Sequence, residues 1–258
     1  MKIKKMKEKA LKKLKGNYTI IIIAILIYSL IEGIFSGTSK LIYNENMNIF
    51  FNIIIMGLLY MGLVEIVVKI AKGKKPEIKD LFSRTDLFWK SSAVTIIITA
   101  FTVLCTILET IAFKSLTVFT SYQADINPTL SATMILIGVI LCTAILAFYI
   151  VLMISFSQVY YVLYENKDMP LFQIFERSMD LMEDHKVDFV IFNFSFLGWA
   201  FVGIFTFGLL YFWLVPYYYV ASYNFYEEVK ELEENPEKRY ETKKSSKTSK
   251  KGVKKAEK

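Results

Sequence analysis

Six long apolar runs dominate the sequence and restrict the folds that it can adopt. They cover residues 18–36, 48–70, 91–113, 131–156, 188–206 and 209–226. Each is about as long as the roughly 17 to 25 helical residues that cross the hydrocarbon core of a bilayer. Because lipid offers no hydrogen-bond partners to peptide groups, such runs cross a membrane as α-helices. The mean hydropathy of +0.40 is also too high for an ordinary soluble domain. The pattern predicts an all-α integral membrane protein with six transmembrane helices.

Lysine and arginine residues indicate how these helices are oriented. Of the 31 basic residues, all except Lys40 and Lys114 fall before the first run, around the loops after the second and fourth runs, or after the sixth. Cytoplasmic loops retain basic residues and translocated loops are depleted of them, which predicts a plasma-membrane protein with both termini in the cytoplasm. A signal peptide is the alternative for the first run, but its length and the lack of a small-residue cleavage site favour retention as a span.

A short amphipathic helix is predicted before each odd-numbered span. In residues 1–15 one helical stripe is apolar and lysines surround it, which predicts a helix lying on the inner leaflet. Segments 76–90 and 170–186 repeat the pattern, and each starts at a proline. The apolar stripes comprise Ile3, Met6, Ala10 and Leu14; Ile78, Leu81, Phe82 and Thr85; and Leu171, Ile174, Phe175, Ser178, Met179 and Met182. The chain is therefore predicted to form three hairpins, each preceded by a cytoplasmic surface helix.

The composition changes near residue 228, where we place a domain boundary. Residues 1–228 form the predicted membrane domain. Residues 229–258 are strongly charged, and their last part is rich in lysine, serine and threonine. Such a segment cannot bury a core, so we predict a largely disordered, basic cytoplasmic tail.

Three glutamates near the spans are candidates for functional positions, because ionisable groups are costly inside a membrane. Glu65 precedes Lys69 by four residues, and an i,i+4 ion pair at the membrane surface is the simpler interpretation. Glu32 and Glu109 lie near the outer ends of spans one and three, where water reaches them. If both faced one interior cavity, they would suit a cation.

His185 and Pro216 are the two other candidates. His185 is the only histidine and has acidic neighbours. No second histidine or cysteine completes a metal-ligand set. A polar anchor at headgroup level is therefore the simpler interpretation of His185. Pro216 removes a backbone donor within span six. A broken helix can mark a transport site, although a single proline in a span is more often only a kink.

The sequence contains no recognisable enzyme signature. It has no paired-histidine metal motif, no glycine-rich phosphate loop and no Gly-x-Ser-x-Gly turn. Cys105 and Cys142 lie inside apolar runs, so we predict that they are small apolar packing residues. We therefore expect no catalytic residues, no cofactor and no metal. The net charge of +7 points to anionic inner-leaflet lipids rather than to nucleic acid, because the basic residues flank apolar spans.

Three motifs resemble a known family. Their residues are Lys15, Gly16, Asn17 and Tyr18; Gly73, Pro76, Asp80, Leu81 and Phe82; and Arg177, Ser178, Leu181, Met182, His185 and Lys186, followed by Ser195, Gly198, Trp199, Thr206, Gly208, Pro216 and Tyr217. Over residues 8–228 the chain resembles the bacterial integral membrane proteins known as domain of unknown function nine hundred and seventy-five. That family is distantly similar to the membrane domain of some glycerophosphodiester phosphodiesterases. Asp184 and Val187 depart from its pattern, which usually has glycine and tryptophan there.

The resemblance implies a six-span plasma-membrane protein and leaves its activity open. Spans almost free of charge favour a non-enzymatic scaffold or accessory module that binds lipid or a partner membrane protein. The alternative is a transporter or channel for a small solute or lipid, which the repeated hairpins and Pro216 favour. An enzyme acting on lipid rests only on the analogy with the phosphodiesterase-linked domain.

Overall fold

A computed structural model describes residues 3–42, 45–124 and 128–235, and every regular element in these ranges is a helix. Two short 3₁₀ helices, Ile78–Phe82 and Thr85–Leu87, connect α3 to α4. The α-helices are α1 (Ile3–Leu14), α2 (Tyr18–Ile42), α3 (Glu45–Ala71), α4 (Phe88–Ala124), α5 (Pro128–Ser155), α6 (Val159–Glu165), α7 (Leu171–Glu183), α8 (Lys186–Phe205) and α9 (Tyr211–Glu234).

Several helices are long and apolar enough to cross a membrane, which is consistent with a helical membrane protein. In the described ranges, three segments meet this criterion: Ile78–Val118, Thr129–Glu165 and Lys186–Phe205. The pair Ile3–Leu14 and Tyr18–Ile34, bent by 94°, makes a fourth if it counts as one broken span. Runs 48–70 and 209–226 are helical within α3 and α9 but are not among these segments. The presence of six spans therefore stays a prediction.

A packed base forms where α1, α6, α7 and the C-terminal parts of α3 and α9 meet. We use "the base" for this part of the molecule. Ile66 and Ile70 of α3 and Tyr223 and Phe225 of α9 are fully buried in it. Large aromatic side chains bury much apolar area, so the tyrosines and phenylalanines of α9 supply much of this core.

Helix α1 has the predicted apolar stripe, but the stripe packs on protein. Met6, Ala10 and Leu14 are buried, and α1 lies along α9. Asn224 of α9 donates a hydrogen bond to the main-chain oxygen of Met6 at 3.2 Å. The prediction that this stripe rests on the inner leaflet was therefore wrong, because α9 already covers it.

The other two predicted surface helices have different outcomes. Segment 76–90 does not form one amphipathic helix: it forms the two 3₁₀ helices, in which Leu81 is buried whereas Ile78 and Phe82 are exposed. Segment 170–186 does form a helix, α7, and its buried face includes Ile174, Phe175, Ser178 and Met182 as predicted.

The link between α8 and α9 is a short, apolar turn. Phe207 is almost fully exposed and has a φ of 50°, and Gly208 follows with a φ of 85°. Helix α9 continues unbroken through Pro216 and ends at Glu234, with Val229 buried. It therefore extends past the predicted domain boundary at residue 228. Residues 236–258 of the predicted tail lie outside the described residues.

Candidate functional site

Glu165 is the centre of a charged cluster in the base. It is the last residue of α6, and its side chain is only 16% exposed. Lys230 Nζ donates to Glu165 Oε2 at 2.7 Å, and the Tyr226 hydroxyl donates to the same oxygen at 2.9 Å. Lys72 Nζ lies 3.7 Å from Glu165 Oε1. We call these four residues the Glu165 cluster.

The Glu165 cluster favours the charged form of Lys230. The hydrogen bond that Lys230 donates to Glu165 raises the pKa of Lys230 above its ordinary value, against a smaller opposing effect of burial. The charged form of Lys230 is therefore favoured, and it pairs with the Glu165 carboxylate. Since Tyr226 and Lys230 are four residues apart on α9, both reach the carboxylate from one helical face.

A cavity of about 860 Å³ opens beside the Glu165 cluster. We call it the base pocket. Its charged lining residues are Lys72, Arg84, Glu165, Lys167, Asp168 and Lys230. Four of them are basic and two are acidic, so the lining carries a net positive charge. The pocket is formed by residues just after α3, before α4, at the end of α6 and near the end of α9.

A second ionic network lies next to the pocket. Lys69 Nζ donates to Asp80 Oδ1 at 2.7 Å and lies 3.5 Å from Glu65 Oε1. The predicted Glu65–Lys69 pair is therefore confirmed. Arg84 Nη1 is 3.7 Å from Glu65 Oε2, and the Arg84 guanidinium lies over the Tyr164 ring, 4.8 Å from its centre. Arg84 thus connects this network to the wall of the base pocket.

The structure does not bring Glu32 and Glu109 into one cavity. Glu32 is exposed on α2. Glu109 is half-buried and lines a cavity of about 340 Å³ between α4 and α5, together with Lys114 and Cys142. The cation site that these two glutamates would form together is therefore not present in this cavity.

His185 and Pro216 lie in different surroundings. His185 precedes α8, and its Nδ1 is 3.4 Å from Asp188 Oδ2. Within the described ranges, no three His, Cys, Asp or Glu side chains are grouped to hold a metal ion. Pro216 lines an apolar cavity of about 140 Å³ between α2 and α9, beside Ile22 and Leu26. Neither residue reaches the base pocket.

Several motif residues have clear structural roles. Gly16 and Gly73 follow α1 and α3 with φ values of 89° and 74°, a conformation that favours glycine and ends helices. Ser178 Oγ donates to the last main-chain oxygen of α5 at 2.8 Å. Arg177 donates to Glu233 at 2.6 Å and fastens α7 to the end of α9. These motif residues therefore support the base on which the pocket is built.

Sequence reasoning missed the Glu165 cluster. Glu165, Lys72 and Lys230 are far apart in the chain, and nothing local indicates that they meet. One signal was present: Glu165 is the first acidic residue after the longest apolar run, and Lys230 follows the aromatic part of α9 on the face of Tyr226. A charge at such a position needs a partner.

The fold combines helices that are apolar enough to cross a membrane with a packed, charged base. The chain belongs to the family described as a protein of unknown function (DUF975), whose model matches residues 1–233. This match extends to residue 233, beyond Lys230, and so covers every residue of the base pocket. No curated protein and no solved structure matches the chain.

Proposed function

We propose that the protein is a non-enzymatic module of the bacterial plasma membrane that binds lipid or a partner membrane protein. In this proposal six spans form three hairpins, and both termini lie in the cytoplasm. The base then faces the cytoplasm, because the basic residues of the loops and ends concentrate on that side.

The exposed hairpin of α4 and α5 is the observation that carries the proposal. The two helices pack on each other; α4 also contacts α3 and α6, and α5 contacts α7 and α8. No residue of the most apolar 18-residue window of Thr129–Glu165 is buried. In the corresponding window of Ile78–Val118 only 6% is buried. So large an apolar surface needs a cover of lipid or of another protein's helices.

The packing of the hairpin and its exposed apolar side chains support a surface that contacts lipid or another protein. Gly138 of α5 contacts Leu116 of α4 closely, so the two helices are held together. Leu136, Ile140 and Leu141 of α5 are all more than half exposed. The packing thus fixes the hairpin while leaving its outer side free.

Photocrosslinking tests this proposal. A benzoylphenylalanine at Leu141 is expected to form adducts with lipid or with a second protein after irradiation in native membranes. The same residue at Lys75, an exposed position in the loop before α4, serves as the control. Mass spectrometry identifies the adducts. If position 141 reacts only within its own chain, or no more than position 75, the proposal is wrong.

Transport is a second candidate function, and the cavity beside Glu109 favours it. A carboxylate, a lysine and two threonines line this cavity between two otherwise apolar helices. Ionisable groups within apolar spans are candidates for an ion pathway. The transport hypothesis predicts that Glu109→Gln abolishes a proton or potassium flux that the purified protein confers on liposomes.

The flux measurement needs matched controls. Glu32→Gln and Glu65→Gln test the other two glutamates, and Glu77→Gln removes an exposed carboxylate outside the spans. A pH-sensitive dye inside the liposomes reports proton flux. Equal flux in the wild type and in all four variants would remove Glu109 from any such pathway.

A further inference from the structure

We propose that the base pocket binds a phosphate-bearing anion, either the headgroup of an anionic phospholipid or a soluble phosphate ester. The site is separate from the exposed α4–α5 hairpin and shares no residue with the tested position Leu141. Only the lipid form of the ligand rests on the proposed membrane placement.

The charge of the pocket favours an anion. Glu165 already accepts hydrogen bonds from Lys230 and Tyr226, so its charge is largely compensated. Lys72 is 3.7 Å from Glu165, beyond direct hydrogen-bond distance, and its side chain is 40% exposed. Lys167 is exposed on the rim. The two lysines therefore keep donors available for a ligand.

Arg84 adds an oriented guanidinium to the wall. It lies 3.7 Å from both Glu65 and Asp86, close enough for attraction but too far for a hydrogen bond. Its Nε is buried, so a ligand in the pocket can meet only the terminal nitrogens of the guanidinium. The Tyr164 ring lies against the guanidinium and supports it in this position. Such groups recognise phosphate oxygens.

Hydrogen bonds within the chain hold the rim of the pocket. Asn166 N–H donates to the Val162 oxygen at 2.9 Å, and Met169 N–H donates to the Asn166 oxygen at 3.1 Å. Lys90 Nζ then donates to the Met169 oxygen at 3.0 Å and fastens the turn to α4. These bonds restrain the turn that lines the pocket, and such restraint lowers the entropic cost of binding.

The size and the position of the pocket define the ligand class further. A volume of about 860 Å³ lies within the roughly 300 to 1,000 Å³ of typical small-molecule sites, so a phosphate ester fits with part of its organic group. The pocket lies where the apolar segment Thr129–Glu165 ends. Basic pockets at this depth on the cytoplasmic side suit anionic headgroups.

Native mass spectrometry of the full-length protein in detergent tests the inference. Phosphatidylglycerol and phosphatidylcholine are titrated separately. We expect the double variant K72Q/K167Q to bind phosphatidylglycerol roughly tenfold more weakly, since each lysine supplies a charge-assisted contact. The double variant K75Q/K79Q removes the same charge from exposed positions outside the pocket and should bind like the wild type. Thermal unfolding of both variants verifies that each is folded.

A second arm distinguishes the two sources of phosphate. If glycerol 1-phosphate binds the wild type and displaces phosphatidylglycerol, and K72Q/K167Q weakens both, the ligand is a soluble phosphate ester. If only the lipid binds and only K72Q/K167Q weakens it, the ligand is a headgroup. Equal losses in the two double variants, no loss in K72Q/K167Q, or no binding of either probe would overturn the inference. Crosslinking at Leu141 is unaffected by any of these results.

Discussion

Replacing Gly62 with alanine is expected to destabilise the protein severely. A Cβ at this position would lie 1.8 Å from the main-chain oxygen of Leu81 and 2.7 Å from the Leu81 Cα. Both are backbone atoms of the first 3₁₀ helix, so no rotamer change relieves the clash. Overpacking of a core costs about 1 to 3 kcal/mol, occasionally more, and we expect a loss at the upper end of this range. Thermal unfolding in detergent, followed by size-exclusion chromatography, measures the effect.

Gly198→Ala is the matched control for Gly62→Ala. A Cβ at Gly198 meets no atom within 4 Å, and the residue lies inside α8. Alanine is favoured over glycine in a helix by up to about 1 kcal/mol, so this variant should be as stable as the wild type or more stable. A similar decrease in both variants would show that the close contact between α3 and the 3₁₀ helix does not exist.

The same contact explains why segment 76–90 could not be predicted. Its apolar spacing fits an α-helix, but Asp80 accepts a hydrogen bond from the Glu77 N–H at 2.7 Å, and Ser83 Oγ donates to the Asp80 oxygen at 2.8 Å. Such local side-chain bonds compete with α-helical ones. The backbone must also approach Gly62 closely. Helix α7 has neither constraint, so there the periodicity sufficed.

Helix α1 shows a different limit of sequence reasoning. Its amphipathic pattern correctly predicted both the helix and its buried stripe. The pattern gives no information on what covers the stripe, because lipid and a second helix are equally apolar. The partner is α9, more than two hundred residues away, and Lys7 also donates to the Ser195 oxygen of α8 at 2.9 Å. These contacts depend on the tertiary fold.

Of the ion pairs at the candidate site, the sequence predicts the local one but not those between distant segments. Glu65 and Lys69 are four residues apart, so helix geometry alone predicts their pairing. Glu165 meets Lys72 and Lys230 only after three separate segments pack together. The family motifs mark glycines and caps around the base but none of these three charges. A pocket made from distant charges cannot be read from spacing.

Glu165→Gln is expected to lower the free energy of unfolding by about 2 kcal/mol. The substitution removes the negative charge that partners the partly buried Lys230. Lys230 and Tyr226 both donate to this carboxylate, and Lys72 lies beside it. Glutamine keeps the shape of the side chain, so the effect reports the charge and not a cavity. Thermal and denaturant unfolding in detergent give the measurement.

Glu77→Gln is the control, because it removes an ion pair of the same length that is exposed rather than partly buried. Lys79 Nζ is 2.7 Å from Glu77 Oε2, the same distance as in the Glu165–Lys230 pair, but the two side chains are 76% and 62% exposed. Water screens such a pair, so its loss should cost much less stability than the loss of the Glu165 charge. The double variant E165Q/K230M should recover part of the stability that E165Q loses, because it also removes the unpaired charge. If E165Q costs no more than E77Q, or if K230M adds to the loss, then the ion pair between Glu165 and Lys230 does not stabilise the packing of α6 against α9.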